Sequence, residues 1–396
     1  MVKKTEKDTS LDQDFFNSLI ESTDFQIAST GSLMHSRFKV ETPLTVLNCI
    51  YGGGMPMGIM CEVSGVNQSG KSTFLYQCMA NYQKQCPNGI PIVLDMETSM
   101  DTDRLEELGV DTSRVLRLGS RSIEQTFANL FKVLNKIEKG LEDNKDLSAF
   151  IVYDSLASGG TDSEQKAVSE GKSAFGAGAM REDTRSLKHN LQNLFPYMEK
   201  MPIFIGLINQ VFVHPNPYGG PSKLESGGGT ALKHLCHTHI VFSNPRDDYE
   251  NSFLIGTESK MELHKSKLSP KMINIPVYLD GTKGGKIDET DSFVKYITDK
   301  NVGLVVADSW YKFSDAIKVG MFTTYPELSS AEDLKKILSV NYRKKDFYNM
   351  VSENKDLCAL LQIALIDFLC NIYPAQKIIT ESYKAQLISD CAYFKA

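Results

Sequence analysis

Three features of this 396-residue chain point to an α/β fold with a mostly parallel central sheet, antiparallel edge strands and a small C-terminal helical domain. From residue 44 to about 242, apolar runs of strand length alternate with longer helical patterns; a phosphate-loop motif follows the first run; and two later runs end in carboxylates. The runs are 59–63, 90–95, 114–118, 149–154, 203–208 and 238–242, a rhythm expected of a parallel sheet covered by helices.

Residues 1–43 are polar, with one short amphipathic candidate helix near 11–20, and read as an oligomerisation segment and linker too small to fold alone. The spans 158–180 and 211–230 are too long and Gly-rich for compact linkers, and such loops usually carry function. Between 252 and 313, short alternating runs such as 260–265 and 272–279 are separated by Asp280-Gly281 and Lys283-Gly284-Gly285, as in antiparallel strands at the sheet edge. Trp310-Tyr311-Lys312-Phe313 reads as an edge-strand cluster. Helical patterns at 331–338, 344–351 and 357–373 then mark a C-terminal domain, 314–396, after a nucleotide-binding core at 44–313.

The chemistry centres on Gly65-Val66-Asn67-Gln68-Ser69-Gly70-Lys71-Ser72, which has the G-x-x-x-x-G-K-S spacing of a nucleotide-phosphate loop. A strand precedes it and the helical spacing of 73–82, beginning at Thr73, follows it, so backbone N–H groups at a helix N-terminus can cradle phosphates. Lys71 would reach the β/γ oxygens of ATP, and the Ser72 hydroxyl would hold Mg²⁺. Asp154, ending the run 149–154, is a second candidate Mg²⁺ ligand. Glu97, in Asp95-Met96-Glu97 beyond another run, is placed to orient an attacking water. His234, Cys236, His237 and His239 lack the paired spacing of a zinc site and read as strand packing.

Composition bounds the partners. The hydrophobic fraction of 41% and charged fraction of 23% are those of a soluble globular chain, and the formal net charge of −6 excludes a wholly basic nucleic-acid coat while allowing a local basic channel. Eight cysteines without a C-x-x-C pair, no membrane-length apolar run and no signal-peptide apolar region lead to the expectation of a reduced, cytoplasmic protein without a membrane partner.

The phosphate loop, the Asp-Met-Glu after the second strand, Phe-Ile-Val-Tyr-Asp-Ser at 150–155, and Gly206-Leu207-Ile208-Asn209-Gln210 before a Gly-rich loop together resemble the RecA family of homologous-recombination ATPases, its phage branch included. Tyr51-Gly52-Gly53-Gly54-Met55-Pro56-Met57-Gly58 resembles that family's lead into the first core strand, and Gly227-Gly228-Gly229-Thr230-Ala231-Leu232-Lys233 resembles the end of its second DNA-binding loop. The likeness spans roughly residues 44 to 313. It implies that Glu97 activates water, that Gln210 senses the γ-phosphate and couples it to the second DNA loop, and that Lys265 and Lys267 reach ATP held by the neighbouring subunit. It also implies a backbone-tracking role for the first loop, with Lys172, Arg181 and Arg185. In the second loop Phe212 and Tyr218 would stack on bases, while Lys223 and the N–H groups near Gly227, Gly228 and Gly229 would meet phosphates.

The expected protein is thus a RecA-type P-loop NTPase: a DNA-dependent ATPase that uses ATP and Mg²⁺, forms a helical homo-oligomeric filament on single-stranded DNA, and pairs it with double-stranded DNA for strand exchange. A ring-forming helicase motor, or an ATP-switched assembly protein without DNA, would keep the same phosphate loop.

Overall fold

The computed structural model describes residues 38–395 apart from 99, 121, 159, 163–165, 167–178, 215–222, 227–228, 268, 270–272 and 308–309. The expected opening helix near 11–20 lies outside the described residues, as do Lys172, Tyr218, Gly227 and Gly228.

β1 (Lys39–Val40) pairs antiparallel with β2 (Met55–Pro56), and α1 (Thr45–Tyr51) lies between them in the chain. The central sheet follows with β3 (Met60–Gly65), β4 (Gly89–Asp95), β5 (Leu116–Gly119), β6 (Ser148–Asp154) and β7 (Ile203–His214). Between these strands run α2 (Lys71–Gln85), α3 (Thr102–Glu107), α4 (Ile123–Gly140), α5 (Ala179–Gln192) and α6 (Phe195–Lys200). After β8 (Lys223–Ser226) and α7 (Gly229–Leu235) come β9 (Thr238–Glu250), β10 (Phe253–Ser266), β11 (Asn274–Asp280) and β12 (Lys286–Asp288). The strand order is β12-β11-β10-β9-β3-β7-β6-β4-β5, with β8 attached to β7. β9, β3, β7, β6, β4 and β5 are mutually parallel; β9 to β12 form the antiparallel flank.

Both faces of β3, β4 and β6 are buried, which is why these strands are largely apolar at successive positions instead of alternating, whereas the edge strand β5 is mostly exposed. On β6, Phe150 and Val152 join the core beneath α1 and α2, while Ala149, Ile151 and Tyr153 join the core beneath α4 and α5. Asp101 caps α3 through its side chain, accepting from the N–H groups of Asp103 and Arg104 at 3.0 and 3.4 Å. That fixes the chain at Asp101, four residues after Glu97.

Beyond the sheet, α8 (Glu289–Asp299) leads to β13 (Leu304–Ala307) and β14 (Trp310–Phe313), followed by α9 (Asp315–Thr324), α10 (Glu332–Ser339), β15 (Tyr342–Arg343), α11 (Lys344–Glu353), α12 (Lys355–Ile372) and α13 (Gln376–Asp390). The small sheet has the order β13-β14-β15, so Trp310–Phe313 is its middle strand rather than an edge strand. β15 supplies the outer pairing from beyond residue 313. A single apolar cluster runs from Val40 and Phe74 through Leu360 to Cys391, joining the C-terminal helices to the nucleotide-binding core.

Three further expectations from sequence change. The run 114–118 is split into a 3₁₀ turn, Thr112–Arg114, and β5, because the Asp111 side chain caps the turn by accepting from Ser113 N–H at 3.2 Å. β9 and β10 extend well beyond 238–242 and 260–265 as a long hairpin, exposed along the outer half of β9 and at the tip of β10, Phe253 and Leu254. Its ladder is made of backbone bonds and needs no apolar face, so Arg246, Asp247 and Asp248 conceal it in the sequence. The span 211–230 is not a loop throughout: β7 continues to His214 and pairs with β8, and Gly229 opens α7. Val211-Phe212-Val213 carries strand propensity, while Pro215, Pro217 and Pro221, which cannot donate to a ladder, lie between the paired segments.

The C-terminal helices grip the core at α1. The buried Gln376 Nε2 donates to the Ile50 carbonyl at 3.0 Å, and Gly52 takes a left-handed φ of 67° where a Cβ would lie 2.1 Å from the Ile379 carbonyl oxygen. Gly52→Ala combines a disfavoured backbone with that clash, and is expected to destabilise the chain by at least about 1 kcal/mol in urea unfolding.

Candidate functional site

Register alone assembles the site. β3, β7, β6 and β4 are adjacent and parallel, so their carboxyl ends share one edge: Gly65 is in register with Gln210, and Asp95 with Asp154. In open α/β sheets ligands bind at that edge.

Gly65 closes β3, where a Cβ would come within 2.3 Å of the Phe242 carbonyl oxygen on β9, so the loop's first residue cannot carry a side chain. Gln68 and Gly70 adopt left-handed φ values of 59° and 99°, which turn Val66, Asn67, Gln68 and Ser69 over the edge before α2 starts at Lys71. Gly70 occupies the N-cap without a side-chain acceptor, leaving the first-turn N–H groups of α2, near Lys71, Ser72 and Thr73, directed at the loop. These residues fit an anionic phosphate chain. Ser69 Oγ and Lys71 Nζ both donate to the Val66 carbonyl, at 2.7 and 2.6 Å. Burial pushes the Lys71 ammonium below its ordinary pKa, opposed by the attraction of Asp154 and Glu97.

Three carboxylates flank the loop, each held differently. Asp154 Oδ2 accepts from the Tyr76 hydroxyl at 2.9 Å. Burial raises its pKa to about 6; the Tyr76 bond opposes this, Glu97 and Asp95 reinforce it, and Lys71 opposes it. Glu97 Oε1 accepts from the hydroxyls of Ser155 at 2.5 Å and Ser158 at 2.9 Å, so the loop after β6 orients the carboxylate that follows β4. Asp95 is engaged by Arg117, whose Nε and Nη2 donate to Oδ2 at 3.0 and 2.6 Å. The donor set of Ser72 and Asp154 suits a hard divalent cation such as Mg²⁺.

Sequence reasoning missed Tyr76, Ser155 and Ser158 as supports. Tyr76 lies four residues after Ser72 and therefore on the same helix face, and Ser155 directly follows Asp154; both signals were present in the spacing. It also missed the cleft of about 370 Å³ beside the loop, lined by Gln68, Gly70, Thr73, Leu254, Leu279 and Gly281. Arg104 closes one side, donating Nη1 to the Gly284 carbonyl and Nη2 to the Gly285 carbonyl at 3.3 Å while pairing with Glu107 at 3.2 Å.

The remaining expected residues fall in two places. Gln210 is the last β7 residue paired with β3, and the next four residues leave the parallel sheet as the hairpin strand that pairs with β8. Phe212 lies on that strand, Lys223 on β8, and Gly229 at the start of α7. Arg181 and Arg185 lie on α5, with Arg185 exposed. Lys265 is the penultimate residue of β10, and Lys267, exposed, lies immediately beyond its end. Lys265 Nζ donates to the carbonyls of Lys233 at 2.6 Å and His234 at 3.3 Å, capping the C-terminus of α7. Burial, with Lys267 and Lys265, holds His237 down at about 4, so the two ammonium groups face a neutral imidazole.

The family model of the RecA N-terminal domain matches residues 24–283. Protein RecA of Ureaplasma parvum is 28% identical over 289 residues, 73% of this chain and 77% of that protein. Protein RecA of Malacoplasma penetrans is 26% identical over 295 residues, covering 74% and 80%, and that of Lactobacillus johnsonii is 26% identical over 299 residues, covering 72% and 76%. Among the described residues no helix is long and apolar enough to cross a membrane.

The raised Asp154 pKa has a measurable sign. A carboxyl raised from 3.8 to about 6 contributes stability that is present below pH 3.8 and lost as pH rises through 6. Asp154→Asn lacks this loss, so without nucleotide it is expected to gain on the wild type by up to roughly 3 kcal/mol between pH 4 and pH 7. Urea unfolding of both proteins across that range reads the difference directly.

Proposed function

The chain belongs to the RecA family, and from that premise we propose an ATP-dependent recombinase that forms a filament on single-stranded DNA and promotes pairing and strand exchange with double-stranded DNA. One observation carries the reading: the strand that pairs with the first phosphate-loop glycine at Gln210 is also the strand that becomes the hairpin at 211–226. A side-chain contact at the γ-phosphate and a contact with DNA would therefore act on one continuous backbone, an order–disorder switch of the NTPase kind.

In this mechanism the loop N–H groups and Lys71 bind the β- and γ-phosphates of ATP, and the cleft beside Gln68 and Leu279 takes the base and ribose. Ser72 and Asp154 would hold Mg²⁺, which neutralises phosphate charge when bound. Glu97, oriented by Ser155 and Ser158, accepts the proton of the attacking water. Lys265 and Lys267 act on the nucleotide of the adjoining subunit, so that one site needs two chains. Lys265 must then exchange the Lys233 and His234 carbonyls for phosphate. The DNA-facing surface comprises Arg185 and Arg181 on α5 with the hairpin segment bearing Phe212 and Lys223. Lys172, Tyr218, Gly227 and Gly228 complete the same proposal from sequence. ATP favours the DNA-bound state through contacts that hydrolysis removes.

Two experiments test this reading. Glu97→Gln keeps shape but not basicity, and is expected to bind ATP normally while losing at least about a hundredfold in turnover; wild-type turnover would remove the water-activating role. Lys71→Ala protein and Lys265→Ala/Lys267→Ala protein are each expected to be inactive in DNA-stimulated hydrolysis, yet active when mixed, because an intact phosphate loop then meets intact lysines across mixed interfaces. Turnover no greater than the sum of the separate proteins, in mixtures shown to co-assemble, would count against the shared site.

A further inference from the structure

Glu62, three residues before Gly65 on the phosphate-loop strand, is completely buried and has no part in the chemistry above. It lies where one face of the parallel sheet turns from apolar to polar: Met60, Ile205 and Leu207 give way to Glu62, Ser64, Asn209 and His239. Asn209 Nδ2 donates to Glu62 Oε1 at 2.8 Å, and Asn209 Oδ1 accepts the backbone N–H of Gln210 at 2.9 Å. On the other side, His239 stands in register with Glu62, its Nε2 lying 3.7 Å from Glu62 Oε2 and 2.9 Å from Ser64 Oγ. Burial, with His264, Lys233 and Lys265, holds His239 down at about 4, so the contact is between a carboxyl and a neutral ring. A buried carboxyl in a core is costly unless hydrogen-bonded, and an apolar side chain could fill the same space. Here it ties three strands together immediately below the phosphate loop.

We propose that Glu62 is a positioning residue: by holding the Asn209 carboxamide it fixes the backbone of Gln210 against the phosphate loop, and so transmits the nucleotide state from β3 to the hairpin that follows Gln210. This rests on the reading of Gln210 as the γ-phosphate sensor. The Glu62–Asn209 bond is the link. Without it the Asn209 carboxamide can turn, and Gln210 loses the side-chain support of its N–H.

Reversing donor and acceptor across that bond tests the link without changing its shape. In the full-length protein, Asn209→Asp sets a second carboxylate against Glu62 and is expected to lower DNA-stimulated ATP turnover by about tenfold, with basal turnover and the KM for ATP unchanged. Adding Glu62→Gln restores a donor facing an acceptor and is expected to bring stimulation back to within about threefold of the wild type. Wild-type stimulation in Asn209→Asp, or a folded double variant that stays as impaired as the single one, would overturn the proposal. Should Asn209→Asp fail to fold, the double variant decides alone: folded and stimulated supports the link, while folded and unstimulated reduces Glu62 to a structural role and overturns it. Gln210→Ala separates the two levels. If it keeps DNA stimulation, the sensor reading falls and the proposal with it; if it loses stimulation while Asn209→Asp keeps it, only the proposal falls.

Discussion

The parallel pairing of β3 with β7 is the constraint on which the rest of the molecule depends. Six consecutive residues are in register, from Met60 opposite Ile205 to Gly65 opposite Gln210, and the side-chain period of two makes that register all-or-none. A slip of one residue by β3 would turn Glu62 and Ser64 toward the core beneath α1 and α2, away from Asn209, and would take Gly65 out of register with Gln210. Apolar burial on both faces of β3, β6 and β7 specifies the register. Packing sets the register of the site, and its own hydrogen bonds then orient the side chains within it.

This arrangement separates rigid parts from adjustable ones. The phosphate loop is fixed by glycine conformations and by β9 packed against Gly65. Asp154 and Glu97 are fixed by hydroxyls from Tyr76, Ser155 and Ser158. By contrast, the Lys265 ammonium rests on backbone carbonyls at the end of α7, the helix that follows the β7–β8 hairpin in the chain. On the proposed reading, that lysine serves either its own chain's helix or the adjoining subunit's nucleotide. On that same reading, helix α7 is a second mechanical connection between the proposed DNA-facing segment and the proposed subunit interface, beside the one through Gln210.

What is legible in the sequence is what local chemistry determines. The phosphate loop, the strands beneath it and Asp154 announce themselves, because such glycine spacing and such uninterrupted apolar runs are compatible with few folds. The outer half of the β9–β10 hairpin is hidden, since an exposed ribbon is held by main-chain bonds and accepts Arg246, Asp247 and Asp248 as readily as any alternating pattern. The hairpin at 211–226 is hidden for the opposite reason: its prolines and glycines suggest a loop, although Val211, Phe212 and Val213 carry the strand onward. Tyr76, Ser155 and Ser158 are ordinary residues whose roles exist only once β3, β4 and β6 lie side by side. The Glu62 cluster is least legible, because Glu62, Asn209 and His239 are far apart in the chain and meet through three-strand register alone.

The central claim is that nucleotide and DNA act together on an assembly of these chains. Electron microscopy of the protein with a non-hydrolysable ATP analogue, with and without single-stranded DNA, tests it most directly. The account predicts extended helical filaments when analogue and DNA are both present, and few or short ones when either is omitted. Closed rings around DNA, or an assembly state indifferent to DNA, would contradict it.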